Sequence, residues 1–352
     1  MSAPKVRVVV ATPLEELLAR RIAQSDPRVE LAWDPSLLPP QRWPGDHRGD
    51  PAFRRDAAAQ ARWEELLAGA EVLYGLPDES PAGLADAAAG APGLRWVQAT
   101  AAGAGEQVRA AELPREVLQR VTVTTAGGVH AVPLAEFAIF GLLAIAKDVR
   151  RLLRDQAAHT WGARRATREL RGETLFVVGL GGIGLEVARL AKAFGMRTVG
   201  FKRTPAPSPP PWTDELRGSD QLGATIHEAD AVVLSLPATP ATTGMVDRAT
   251  IARMRRDAIL VNVGRGAVVD EDALVDALRE GRIAGAVLDV VGKEPLPPSS
   301  PLWELDNVLL SPHTAALSPH EDERVVARFV ENLHHYLAGE PLRNVVEPGN
   351  WY

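Results

Sequence analysis

The sequence predicts an α/β protein built from two doubly wound, parallel-sheet domains. Short apolar runs alternate with helical patterns along most of the chain, as a parallel sheet with crossover helices requires. The 352 residues exceed the comfortable size of one hydrophobic core, so two domains of roughly 100 to 200 residues each are expected. Residues 177–184 read V-V-G-L-G-G-I-G, an apolar run that turns through Gly179, Gly181 and Gly184 into the helical pattern 185–194. That order, strand then glycines then helix, is the context in which a G-x-G-x-x-G run signals a dinucleotide-binding turn.

Taken from the N-terminus, strands are expected at 6–11, 29–33, 71–75, 94–98 and 121–125, with a first helix at 14–24. Residues 35–55 carry Pro39, Pro40, Trp43, Pro44, Gly45, His47, Gly49 and Pro51. They predict a long ordered loop, which in a compact domain is more often functional or interface-forming than idle. An extended helical pattern covers 132–156, and its apolar part is interrupted by Glu136, which suits a buried helix better than a bilayer. The glycine motif and its strand follow. Five further strands are expected at 198–201, 231–236, 258–263, 285–290 and 308–311, so the second sheet has six. A last helical pattern, 321–337, would return to the first domain. Residues 205–212, P-A-P-S-P-P-P-W, read as a stiff surface loop.

Composition narrows the function. A formal charge of −6 gives no broad basic face, so nucleic acid is not an expected partner. The chain has no Cys, which excludes disulfides, thiolate metal sites and a cysteine nucleophile. No stretch suits a signal sequence or a membrane span, and a cytoplasmic protein without membrane contact is expected. Glu331, His334 and His335 hint at a metal on a helix, but adjacent histidines face different ways and no third ligand is evident, so no metal is expected.

In the glycine turn, Gly179 permits the tight bend, Gly181 lets backbone N–H groups approach a pyrophosphate, and Gly184 allows helix and strand to pack closely. Gly182 and Ile183 complete the cofactor turn. NAD-preferring sites place Asp or Glu at the end of the next strand, where it accepts from the ribose 2′-OH. Here that strand ends G-F-K-R-T, and no acid occurs between Glu186 and Asp214. Lys202 and Arg203 would neutralise a 2′-phosphate, with Thr204 donating a hydrogen bond. NADP(H) is therefore favoured, and NAD(H) stays usable if the two cations only decorate a solvated strand end.

Three downstream segments sit at or just beyond predicted strand ends, where the crevice of an open α/β sheet forms. They are N-V-G-R-G at 262–266, L-D-V at 288–290 followed by E-P-L at 294–296, and S-P-H-T-A at 311–315. With Q-A-T-A-A-G-A-G at 98–105, G-V-H at 128–130 before P-L-A-E at 133–136, S-L-P at 235–237 with Thr242, and G-E-P-L at 339–342, the chain resembles the D-isomer-specific 2-hydroxyacid dehydrogenases over nearly its whole length.

The resemblance implies a Rossmann dinucleotide domain, residues 126–316, inserted in a flavodoxin-like substrate domain made of 1–125 and 317–352. It implies a homodimer, with 132–156 as the contact helix. Arg265 would bind the carboxylate and carbonyl oxygen of a small 2-oxo or 2-hydroxy acid. A guanidinium fork suits this, offering two planar donors and a permanent charge. His313 would be the general acid in reduction and the base in reverse, with Glu294 orienting the imidazole and favouring its charged form. Backbone N–H groups of Ala101, Ala102 and Gly103 would complete the carboxylate site. Asp289 would hold the nicotinamide carboxamide, and Leu236, Pro237, Thr242, Val263 and Gly264 would line the cofactor.

Two departures from the family pattern matter. Ala104-Gly105-Glu106 stands where many members carry Val-Asp, and Lys202 replaces the usual acid after the second strand. The small, uncharged 101–105 loop offers no side chain to a substrate phosphate, so glyoxylate or hydroxypyruvate reduction is expected first and bulkier 2-oxo acids next. The alternatives are a dinucleotide-sensing, corepressor-like scaffold without turnover, or phosphoglycerate or phosphite dehydrogenase activity. Phosphite dehydrogenases use a Lys in the anion loop, where this chain has Ala and Gly. Formate dehydrogenases of the superfamily lack the acid found here as Glu294.

Overall fold

The computed structural model describes residues 4–347 and Gly349. The chain divides into two compact units, the first made of residues up to Val129 together with those from Leu317 onward, the second of His130–Ala316.

In the first unit, strands β1 (Val6–Val10), β2 (Val29–Ala32), β3 (Val72–Tyr74), β4 (Trp96–Gln98) and β5 (Thr122–Thr124) form one parallel sheet in the order β2-β1-β3-β4-β5. This is the flavodoxin-like order, with its switch point between β1 and β3. Val8, Val9 and Val10 are fully buried, because helices cover both faces of a parallel sheet and its inner strands become continuous apolar runs. The helix Glu321–Ala338 returns to this sheet through Val325, Val326, Phe329 and Leu333. Phe329 stacks on Trp96 with ring centroids 4.9 Å apart and meets Tyr74 edge-on at 5.2 Å. Aromatic pairs in these two geometries add to the hydrophobic gain of burial.

In the second unit, strands β6 (Thr174–Val178), β7 (Arg197–Lys202), β8 (Glu215–Gly218), β9 (Ala231–Leu234), β10 (Ile259–Asn262), β11 (Gly285–Leu288) and β12 (Val308–Leu310) form a parallel sheet in the order β12-β11-β10-β9-β6-β7-β8. The two halves diverge from β6 and β9, the dinucleotide switch point of a Rossmann sheet.

Two elements differ from the sequence expectation. The second sheet has seven strands rather than six, because β8, E-L-R-G, adds an edge. It pairs only with β7 and is half-buried, and Arg217 bridges Glu215 and Glu228. A charged edge strand resists pairing with other chains, but it has no apolar periodicity to reveal it. The helix expected at 132–156 is two helices, Ala131–Ala146 and Val149–Ala157. They break at Asp148, whose φ of +53° is left-handed, a conformation that Asp tolerates better than most residues. Its carboxylate is held by Arg151 and Arg165. The second helix buries none of its residues, and Leu152 and Leu153 are exposed. Among the described residues no helix is long and apolar enough to cross a membrane.

Candidate active site

The glycine turn follows β6. Gly179 has a φ of +101°, and a Cβ there would lie 2.9 Å from Leu236 Cδ2 and 3.0 Å from the Ser235 carbonyl oxygen. A Cβ on Gly184 would lie 2.0 Å from the Gly179 carbonyl oxygen. The protein itself therefore requires both. Gly181 differs, since a Cβ there would meet nothing within 4 Å. Open space at that position, at the start of the twelve-residue helix Gly182–Ala193, suits an approaching pyrophosphate. Ser235 Oγ donates to the Gly179 carbonyl at 2.7 Å, which brings the Leu236–Pro237 turn beside the glycines. Thr242 turns its hydroxyl inward, donating to the Pro237 carbonyl at 2.6 Å.

At the end of β7, Lys202, Arg203 and Thr204 are exposed, and neither cation pairs with a carboxylate among the described residues. The nearest acids in sequence are already engaged. Glu186 holds Arg189 through bonds of 2.5 and 2.9 Å, and Asp214 holds Lys192 at 2.9 Å.

Beyond β10 the turn 263–265 is built by a residue to which sequence reasoning gave no role. Asn262 is 1% exposed. Its Oδ1 accepts from the Gly264 N–H and its Nδ2 donates to the Arg265 carbonyl, both at 3.0 Å. An Asn at a strand end that bonds its own backbone two and three residues on is a local turn signal legible in sequence. Arg265 is half-buried, gives one N–H to the Gly264 carbonyl at 2.8 Å, and pairs with no carboxylate among the described residues.

The next two loops interlock. Glu294 Oε2 lies 2.7 Å from His313 Nδ1, and Glu294 Oε1 accepts from the Val291 N–H at 3.2 Å. An ionised carboxylate only accepts, so Nδ1 carries the proton and Nε2 is left for chemistry. Asp289 is 2% exposed. Its Oδ1 accepts from Ser311 Oγ at 2.7 Å and from the Thr314 and Ala315 N–H groups at 3.0 Å, while its carbonyl accepts from the His313 N–H at 2.9 Å. These bonds hold His313 at a φ of +55°, a left-handed conformation that costs a residue with a Cβ about 1 to 2 kcal/mol. The other Asp289 oxygen takes no hydrogen bond among the described residues.

The Arg265 turn rests on the same structure. A Cβ on Gly266 would fall 2.0 Å from the Val291 carbonyl oxygen, so the backbone after Arg265 packs directly on the loop that carries Glu294. The structure thus links Arg265, Glu294, Asp289 and His313 through loops beyond the adjacent strands β10, β11 and β12. Beside the Glu294–His313 pair is a cavity of about 610 Å³, mostly apolar, bordered by Leu296, Trp303, Leu310 and Pro312.

In the first unit, Ala101, Ala102 and Gly103 are exposed just beyond β4. On the last helix, Glu331 is taken by Arg328 and Arg343, His335 by Glu340 and His334 by the Ser25 carbonyl. No group of side chains among the described residues is arranged to hold a metal ion.

Comparison with known proteins agrees with this geometry. A family model described as "D-isomer specific 2-hydroxyacid dehydrogenase, NAD binding domain" matches residues 139–315. A glyoxylate reductase of Korarchaeum cryptofilum is 38% identical over 241 residues, covering 64% of this chain and 69% of that protein. A D-3-phosphoglycerate dehydrogenase of Methanocaldococcus jannaschii is 36% identical over 234 residues, 65% of this chain and 44% of that protein. Among solved structures, a D-isomer specific 2-hydroxyacid dehydrogenase from Xanthobacter autotrophicus Py2 in complex with NADPH and MES aligns with a TM-score of 0.75 at 29% identity, over 99% of this chain and 100% of that one. With the interlocked loops, the parallel sheets and these matches in agreement, the chain belongs to the D-isomer specific 2-hydroxyacid dehydrogenases, NAD(P)-dependent oxidoreductases.

Proposed function

We propose that this enzyme reduces a small 2-oxo acid to the D-2-hydroxy acid, with NADPH as the favoured donor and glyoxylate or hydroxypyruvate as the first substrates to try. The observation that carries the reading is the 2.7 Å Glu294–His313 pair on a loop packed against the Arg265 turn. The dinucleotide, when bound, supplies the hydride. Gly179, Gly181, Gly182, Ile183 and Gly184 hold its pyrophosphate, and Leu236, Pro237, Thr242, Val263 and Gly264 line it. The Asp289 oxygen that takes no hydrogen bond among the described residues accepts from the carboxamide. Lys202, Arg203 and Thr204 hold the 2′-phosphate. Support for that preference comes from two cations without carboxylate partners among the described residues and from the NADPH in the Xanthobacter autotrophicus complex.

Arg265 grips the substrate carboxylate and polarises the adjacent carbonyl. His313 Nε2 gives a proton to the carbonyl oxygen, and Glu294 keeps the proton on Nδ1 and balances the imidazolium charge. The Ala101, Ala102 and Gly103 N–H groups complete the anion site, without a cationic side chain that would select a phosphate. The glyoxylate reductase relative supports the small-substrate reading. The apolar cavity beside His313 favours a second one, 2-oxo acids with branched or aromatic side chains. The enzyme acts as a homodimer through the helix Ala131–Ala146, on which Val132 and Phe140 are 37% and 51% exposed. Oxidation of NADPH, with NADH in parallel, across glyoxylate, hydroxypyruvate, pyruvate, phenylpyruvate and branched 2-oxo acids tests the reading. Tight NADPH binding with no turnover of any of them would replace it with a dinucleotide-sensing scaffold.

A further inference from the structure

Glu79 lies in the turn after β3 and is 8% exposed. Asp78 and Glu79 have φ of +55° and +46°, each costing about 1 to 2 kcal/mol for a residue with a Cβ. Neighbours hold the turn in place. Arg55 Nη2 donates to Asp78 Oδ1 at 2.9 Å, and Gln107 Nε2 donates to the Glu79 carbonyl at 3.3 Å. The turn aims the Glu79 carboxyl into the protein, where Oε1 accepts from the buried Thr100 hydroxyl at 3.0 Å. Burial pushes the Glu79 carboxyl up, against the pull of His47, Thr100, Arg48 and Thr12. The Glu79–Thr100 bond ties the turn after β3 to the end of β4, and Thr100 immediately precedes Ala101.

We propose that Glu79 is a positioning residue for the substrate carboxylate, gripping the Thr100 hydroxyl and so fixing the backbone from which Ala101, Ala102 and Gly103 present their N–H groups. This rests on the substrate reading of 101–103 given above. The mechanism uses neither Glu79 nor Thr100, and a carboxyl buried at the edge of an anion loop has no evident purpose in packing alone.

Five variants, assayed as full chains with NADPH and the best 2-oxo acid, test it. Thr100→Val and Glu79→Leu are expected to raise the KM for the 2-oxo acid about ten- to a hundredfold, as small misplacements of binding groups do, with kcat and the NADPH Kd unchanged. Thr100→Ser keeps the hydroxyl, and Glu79→Gln keeps an acceptor for it, so both are expected to restore the wild-type KM. A wild-type KM in Thr100→Val and Glu79→Leu would overturn the proposal, as would losses of KM, kcat and Tm together that Thr100→Ser fails to rescue. Ala102→Asp separates the two levels, since a carboxylate there repels the substrate. Unchanged KM in Ala102→Asp would remove the substrate reading and this proposal with it, whereas a raised KM there beside a normal Thr100→Val would remove the proposal alone.

Discussion

Glu294 Oε2 sits 2.7 Å from His313 Nδ1, and the same carboxylate takes the Val291 N–H on its other oxygen. The imidazole is therefore aimed by a group that is itself anchored. Glu294→Gln keeps the shape but not the charge that balances the imidazolium. It is expected to lower kcat about a hundredfold while leaving the NADPH Kd unchanged. Steady-state kinetics with fluorescence titration of NADPH checks this, and wild-type kcat would show that the carboxylate is structural only.

Lys202 and Arg203 stand exposed at and just beyond the end of β7, without carboxylate partners among the described residues. The double variant Lys202→Asp with Arg203→Ser is expected to lower kcat/KM for NADPH about a hundredfold, since charge-assisted phosphate bonds are lost and repulsion is added. Its kcat/KM for NADH should hold or rise. Equal efficiency with NADPH before and after the change would move the 2′-phosphate elsewhere.

Phe329 is fully buried between Trp96 and Tyr74 and brings the C-terminal helix onto the first sheet. Phe329→Ala is expected to cost about 3 to 5 kcal/mol, the transfer loss of the ring plus the cavity it leaves. Urea unfolding followed by circular dichroism measures it. A loss under about 1 kcal/mol would mean that the helix is held by other contacts.

The loop 35–55 is pinned to the start of that helix. His47 Nε2 lies 2.9 Å from Asp322 Oδ1, with side chains 9% and 6% exposed, and Asp322 Oδ2 accepts from Gln41 and from the Gly45 N–H. Burial works against both charges, but the mutual hydrogen bond and attraction outweigh it, so His47 is held above its ordinary pKa and Asp322 below its own. The contribution of His47 is complete below the ordinary His value and is lost as pH rises through its raised one. That of Asp322 is complete above the ordinary Asp value and is lost as pH falls through its lowered one. The pair is at full strength between about pH 4 and 6.5. The stability gap between wild type and His47→Gln should therefore narrow between about pH 6 and pH 9. A constant gap in thermal unfolding across that range would contradict the charged pair.

Much of this was legible in the sequence wherever one short segment carries the whole signal. The glycine turn is such a case, because strand, turn and helix are contiguous and Gly179 and Gly184 are required by backbone geometry alone. The edge strand β8 was not legible, since a charged, one-sided strand has no apolar alternation, and neither was the break at Asp148, where no Gly or Pro marks it. Loop 35–55 announced itself by composition, but its partner Asp322 lies 275 residues from His47, beyond the reach of local patterning. Asp289 was expected at the cofactor. Its anchoring of the His313 turn through one oxygen emerged only from the hydrogen bonds.

The most direct test is turnover of 2-oxo acid by His313→Ala beside the wild type, with the NADPH Kd measured on both proteins. The expected result is a loss of kcat of about two to four orders of magnitude, the usual worth of a positioned acid, with the NADPH Kd unchanged. Turnover close to that of the wild type would contradict the assignment of His313 as the proton donor.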